Sequence, residues 1–245
     1  MDGSAVKEIE RLADENKTFE KDGITFARDS FKPVLYCPRP DTLRGYTLTG
    51  LLDYIKNNRE QVQLDQCMIQ IESHHSVRLY ARFDDEDLKR SCFYQAKLDN
   101  DLPEFPFDSF ISPEEFCIKA RALIGPSNDL DIVIAMASKV VAQNEVITQD
   151  DGLSQEIQVR RGVSGAAKDS VETKGIYRLR PYRTFREVEQ PEASFILRFK
   201  PTENGLPRIA LFDAEGGIWR NNAILAIKDY IEQSIVSDVA IPVLA

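Results

Sequence analysis

Apolar positions recur at helical spacing near the start of the chain. Over residues 4–20, Val6, Ile9, Leu12, Ala13 and Phe19 form one stripe, which predicts an amphipathic helix ended by the Asp22-Gly23 step. The segments ITFARDSF (24–31) and PVLYCPRP (33–40) read as short strands, the second stopped by its prolines. Thr47 or Thr49 then caps a helix that buries Leu51, Leu52, Tyr54 and Ile55. Next comes an antiparallel meander of CMIQIES (67–73), SVRLYARF (76–83) and SCFYQAKL (91–98). In its second strand Val77, Leu79 and Ala81 share one face, and Arg78, Tyr80 and Arg82 the other.

The loop DLPEFPFDSF (101–110) carries three aromatic anchors. Ser112-Pro113-Glu114-Glu115 is a helix start, with a cap, a first-turn proline and acids where the helix dipole favours them. That helix is expected to bury Phe116, Ile118, Ala120 and Leu123 and to stop at Gly125-Pro126. Ser127-Asn128 starts a second one, DLDIVIAMASKVVAQ (129–143), apolar on several sides and so buried. From residue 144 the texture becomes strand-like. Asp151-Gly152 and Asn204-Gly205 read as hairpin turns, Gly162 to Ser170 as a small, polar, mobile loop, and SFILRFKP and PRIALFDA as paired strands. A closing helix packs through Trp219, Ala223, Ile227, Tyr230 and Ile231, and the apolar tail DVAIPVLA either closes a sheet or packs on another subunit. The order of strands, helices, strands and helix predicts an α+β fold with mostly antiparallel sheets. We expect an N-terminal region over 1–143 and a strand-rich C-terminal region over 144–245, either as two parts or as one continuous domain.

Composition narrows the class. A hydrophobic fraction of 42% with 9% aromatics is enough for a packed core. No apolar run approaches a membrane span, and the charged N-terminus lacks a signal region, so a cytoplasmic protein with no membrane partner is expected. Cys37, Cys67, Cys92 and Cys117 lack metal-site spacing and read as small core residues. The net charge of −9 opposes a general role on nucleic acid. Yet Gln155–Lys200 holds ten Lys and Arg against six Asp and Glu, leaving −13 for the rest of the chain.

The candidate chemistry is cationic. Arg160, Arg161 and Lys168 flank a Gly- and Ser-containing loop able to surround an anion, although its spacing is not that of a Walker loop. Arg178, Arg180, Arg183 and Arg186 interleave with Tyr182 and Phe185, as suits nucleotides or single-stranded nucleic acid; outward-facing strand arginines explain the same pattern. His74-His75 reads as a turn, because neighbours on a strand point to opposite faces and would not ligate one metal. Asp84-Asp85-Glu86-Asp87 reads as a solvated turn without EF-hand spacing. The carboxylates of Asp213 and Glu215 read as helix-entry acids. No catalytic set emerges, so no enzyme, metal or cofactor is expected.

The segments LRPYRTFREVEQPEASFILRF (179–199) and ALFDAEGGIWRNNAILAIKDYIE (210–232) resemble phage and prophage proteins of the YfdQ-like group, most closely members from Gram-positive phages. YTLTGLLDYIKNN and FDSFISPEEFCIKA fit the same layout. The resemblance implies a phage-encoded accessory protein in the host bacterial cytoplasm and carries over no active-site residue. The expected function is a non-enzymatic homo-oligomer, a ring or shell, whose partner is itself. The alternative is a nucleotide or single-stranded nucleic-acid binder in phage replication or counter-defence, and a third reading is an acidic DNA mimic.

Overall fold

The structure is a computed structural model. It describes residues 3–15, 17–21, 23–27, 32–33, 39–85, 88–141, 146–150, 155–160, 168–172, 175–202, 205–235 and 240–245. The chain divides into two compact units, Met1–Asp41 with Arg82–Ser91, and Thr42–Ala81 with Cys92–Ala245.

The smaller unit contains α1 (Gly3–Glu15) and a three-stranded antiparallel sheet of β1 (Thr18–Lys21), β2 (Ile24–Ala27) and β3 (Lys32–Pro33). The helix predicted for residues 4–20 therefore ends at Glu15, and β1 takes up Phe19. Val6 and Ile9 remain 42% and 62% exposed on α1, and Leu12 is exposed as well. In the same unit Arg39 donates to the Lys89 carbonyl and the Ser91 hydroxyl. Arg82 pairs with Asp85 in the acidic turn, of which Glu86 and Asp87 lie outside the described residues.

In the larger unit, β4 (Leu43–Gly45) leads to α2 (Leu48–Asn57). Thr47 is the cap, its hydroxyl accepting from the Gly50 amide, which satisfies one of the open donors of the first turn. The Glu187 carboxylate sits at the same helix start and accepts from the Thr49 amide and hydroxyl. The meander forms as β5 (Cys67–Ser73), β6 (Ser76–Phe83) and β7 (Arg90–Lys97). Ile69, Ile71, Val77 and Leu79 point into a core shared with Leu48, Leu51 and Ile55 of α2.

Two helices follow, α3 (Pro113–Leu123) and α4 (Asn128–Val141). Ser112 caps α3 by accepting from the Glu115 amide, and the Ser127 hydroxyl accepts from the Leu130 amide at the start of α4. Phe116, Ala120 and Leu123 are buried as expected, but Ile118 is 63% exposed. The i, i+4, i+7 spacing of those three sets the inner face, and Ile118 falls outside it.

Strands β8 (Val146–Asp150), β9 (Gln155–Arg160) and β10 (Lys168–Glu172) make an antiparallel sheet in the order β10-β9-β8. The loop expected over Gly162–Ser170 is corrected in its second half, because Lys168–Ser170 pair with β9 in β10; residues 161–167 lie outside the described residues. The turn residues Asp151, Gly152 and Asn204 also lie outside them.

Strands β11 (Tyr177–Leu179), β12 (Ala193–Thr202) and β13 (Gly205–Asp213) form a second antiparallel sheet. The inward residues of β12 alternate as Ala193, Phe195, Leu197 and Phe199. They meet Phe116 of α3 and Leu130, Val133 and Ala137 of α4, each large side chain contributing about 2 kcal/mol of apolar burial. Helix α5 (Ile218–Ser234) serves both cores, with Trp219 in this one and Ile227 and Ile231 in the core beneath β5 and β6. The tail ends in β14 (Val243–Leu244), which pairs parallel with β5 and completes a mixed sheet of order β14-β5-β6-β7-β4. Antiparallel pairings dominate, and the fold is α+β. No helix among the described residues is long and apolar enough to cross a membrane.

Candidate functional site

The loop between β11 and β12 carries the arginine-rich segment, and one buried amide shapes it. Gln190 accepts from the Arg183 and Thr184 amides through Oε1 and donates to the Phe185 and Val188 carbonyls through Nε2. A side-chain amide that makes four such bonds replaces a local sheet ladder and fixes the backbone where the sequence offers no regular element. Phe185 is wholly buried in the core beneath β5 and β6. This corrects its expected role as a stacking partner for a ligand.

The predicted cations separate into different environments. Arg160 and Lys168 are direct cross-strand partners in β9 and β10, and Arg161 lies outside the described residues. Arg178 and Arg180 share Glu192 at 3.7 Å each, and Arg180 also pairs with Glu189. Their charge is therefore largely answered within the same loop. Arg186 stacks over the Tyr182 ring at 3.9 Å and is exposed. Arg183 turns inward.

Arg183 lies at the base of a cleft of about 280 Å³. Its guanidinium carbon stands 4.0 Å from the Phe107 ring centroid, 4.7 Å from Trp219 and 5.0 Å from Phe195, and its side chain is only 13% exposed. Asp213, at the end of β13, accepts from it at 3.3 Å. Burial lowers the Arg183 pKa from the ordinary value; Asp213 opposes the shift and Arg220 adds to it. The group nevertheless stays cationic at any working pH.

Asp213 is itself held, taking the Glu215 amide on its carboxylate while its own amide donates to Asp108. Gly216 and Gly217, with φ of 60° and 88°, turn the chain so that Trp219 and Arg220 face the cleft. Arg220 lies 5.4 Å from the Trp219 ring. Glu104 and Tyr182 complete the polar part of the lining.

His74 enters from the turn between β5 and β6. The histidines lie in a turn, as the sequence predicts, and because the chain leaves the extended strand there the two rings stack at 4.6 Å. The His74 ring also meets Trp219 edge-on at 4.9 Å. Burial first, then His75, Arg220 and Arg183, push its pKa down to about 4, so the imidazole is neutral near neutrality. The cleft thus combines two guanidinium groups, a neutral imidazole and aromatic walls, a set able to hold an anion on a flat body.

Of these residues Arg183 and Tyr182 emerge from sequence as binding candidates. Trp219 reads there as core packing, His74 as a turn and Asp213 as a helix-entry acid. The remaining signal is the Gly-Gly step, which brings Asp213 and Arg220 onto one site although seven positions separate them.

Cys67 and Cys92 behave as thiols of low reactivity. Cys67 is buried, Cys92 and Cys117 are half-buried, and burial raises the first two above the ordinary thiol pKa; Cys37 lies outside the described residues. Among known proteins, no family model, no curated protein and no solved structure matches the chain.

Proposed function

We propose that this chain is a non-enzymatic, phage-encoded accessory protein of the host cytoplasm that works by binding and assembles with copies of itself. The observation that carries the reading is the apolar stripe of α1, where Val6 and Ile9 face solvent. A second copy presents the same stripe, and symmetric pairing covers both at once. On the flank of the stripe, Glu8 is neutralised by Arg11 at 2.6 Å, which lowers the repulsion between paired helices. Light scattering at micromolar concentration is the test. The expected result is a discrete multiple of the chain mass that falls when Val6 and Ile9 are both changed to Asp. A monomeric wild-type chain would end this reading.

Binding of nucleotides or single strands is the second reading. It is favoured by the exposed Arg186 stacked on Tyr182, a cation–aromatic step on which a base can lie. The ion pairs of Arg178 and Arg180 with Glu189 and Glu192 weigh against a long cationic track. A labelled oligonucleotide separates the cases: salt-sensitive binding lost on Arg186→Ala supports it, and absence of binding at low salt removes it.

A further inference from the structure

We propose that the cleft around Arg183 is a binding site for a small planar monoanion, an aromatic carboxylate of single-ring size. This inference is independent of self-association.

Three observations combine. The first is the incomplete hydrogen bonding of Arg183. Its fork offers five donors, yet among the described residues its one guanidinium hydrogen bond is the 3.3 Å contact with Asp213, the rest of the group being packed against rings. A guanidinium taken this far out of water is costly unless further acceptor oxygens reach it. A carboxylate supplies two, in the geometry that the fork matches.

The second is the rim. Arg220 lines the same cleft, lies against Trp219, and forms no ion pair among the described residues. His74 lines the same cleft as a neutral ring edge-on to Trp219 and makes no side-chain hydrogen bond among the described residues, so it can donate to an anion without adding charge.

The third is size and charge balance. A volume of about 280 Å³ corresponds to about nine waters at liquid density, ample room for one ring and a carboxylate. Three carboxylates also border the site, namely Glu104, Asp108 and Asp213. Their field disfavours a multiply charged phosphate more strongly than a single negative charge, which Arg183 and Arg220 have to hold against it. Phe107, Tyr182 and Trp219 supply faces for the flat body.

Trp219 is the sole tryptophan of the chain, so its emission reports the cleft directly. Benzoate is the probe, with benzamide as its neutral counterpart and inorganic phosphate and adenosine monophosphate as competitors. The expected result is a saturable change in Trp219 emission with benzoate and none with benzamide. Arg220→Gln, at an exposed rim position, is expected to weaken benzoate about tenfold with the fold intact by circular dichroism. Arg183→Lys keeps the charge but loses the fork, and is expected to abolish the response. An equal response to benzamide, unchanged affinity in Arg220→Gln, or no saturation at millimolar benzoate overturns the proposal. Phosphate or adenosine monophosphate binding where benzoate fails overturns the assigned ligand class.

Discussion

The Thr184 hydroxyl donates to the carbonyl of His74, tying the loop after β11 to the turn between β5 and β6. Thr184 is 1% exposed, so this bond is shielded from water and holds one wall of the cleft against another. Thr184→Val preserves shape and removes the donor. The expected loss is about 1–2 kcal/mol, seen as a lower urea midpoint at unchanged slope.

Gln190 has a larger role than its neighbours. Replacing it by Leu strands two amides and the Val188 carbonyl, and leaves the Phe185 carbonyl only the 3.4 Å bond from the Val188 amide. We expect a cost of about 3 kcal/mol or more. Because Arg183 is anchored through its amide, the same variant should also shift Trp219 emission in the folded state. Unfolding followed by circular dichroism, with fluorescence in parallel, checks both.

Gly50 in α2 offers a test of packing against propensity. An alanine there would gain about 1 kcal/mol in an open helix. Here its Cβ would stand 2.5 Å from the Tyr94 hydroxyl, so the ring must move. Tyr94 packs on Tyr54 at a centroid distance of 5.5 Å and has limited room to yield. Gly50→Ala is expected to destabilise by about 1–2 kcal/mol. In a Tyr94→Phe background the nearest ring carbon lies 3.6 Å away, an ordinary contact, and with only the Thr47 hydroxyl at 3.3 Å left to give way the same alanine should cost much less or become neutral. A double-mutant cycle by urea unfolding measures that difference.

The pH dependence follows from His74. Its folded pKa of about 4 lies below the ordinary 6.5. Between these values the unfolded chain holds the proton and the folded chain does not. Stability therefore rises with pH across this window, and the contribution present above 6.5 is lost as the pH falls towards 4. In His74→Asn this component disappears, so the drop in urea midpoint between about pH 7 and about pH 4 should be smaller than in the wild type. An equal drop in both proteins would place the acid sensitivity elsewhere.

Local chemistry made much of the fold legible. Thr47 and Ser112 cap where their side chains can reach open amides, and the β12 alternation follows from its period of two. What sequence could not show is which of two apolar surfaces wins. Ile118 lies on a helix whose inner face is already filled, whereas Phe185, in a loop with no period to read, drops into the core. The cleft was legible only at Tyr182 and Arg183. Its other members come from the β5–β6 turn, the aromatic loop and the entry to α5, and they meet through tertiary packing that no local spacing encodes. The Arg178 and Arg180 pairs show the converse. Their acidic partners are close in sequence, yet only the folded loop brings Glu189 and Glu192 back onto them.

The pairing of Val243 and Leu244 with Ile69 and Gln70 also has a consequence in time. At ordinary synthesis rates, β14 leaves the ribosome roughly ten to thirty seconds after β5. Throughout that interval the outer rim of a nascent sheet stays bare, with its amides and carbonyls open to any extended segment. The newborn chain is therefore most open to strand exchange with a sister chain, or to capture by a chaperone, before its last two paired residues close the sheet.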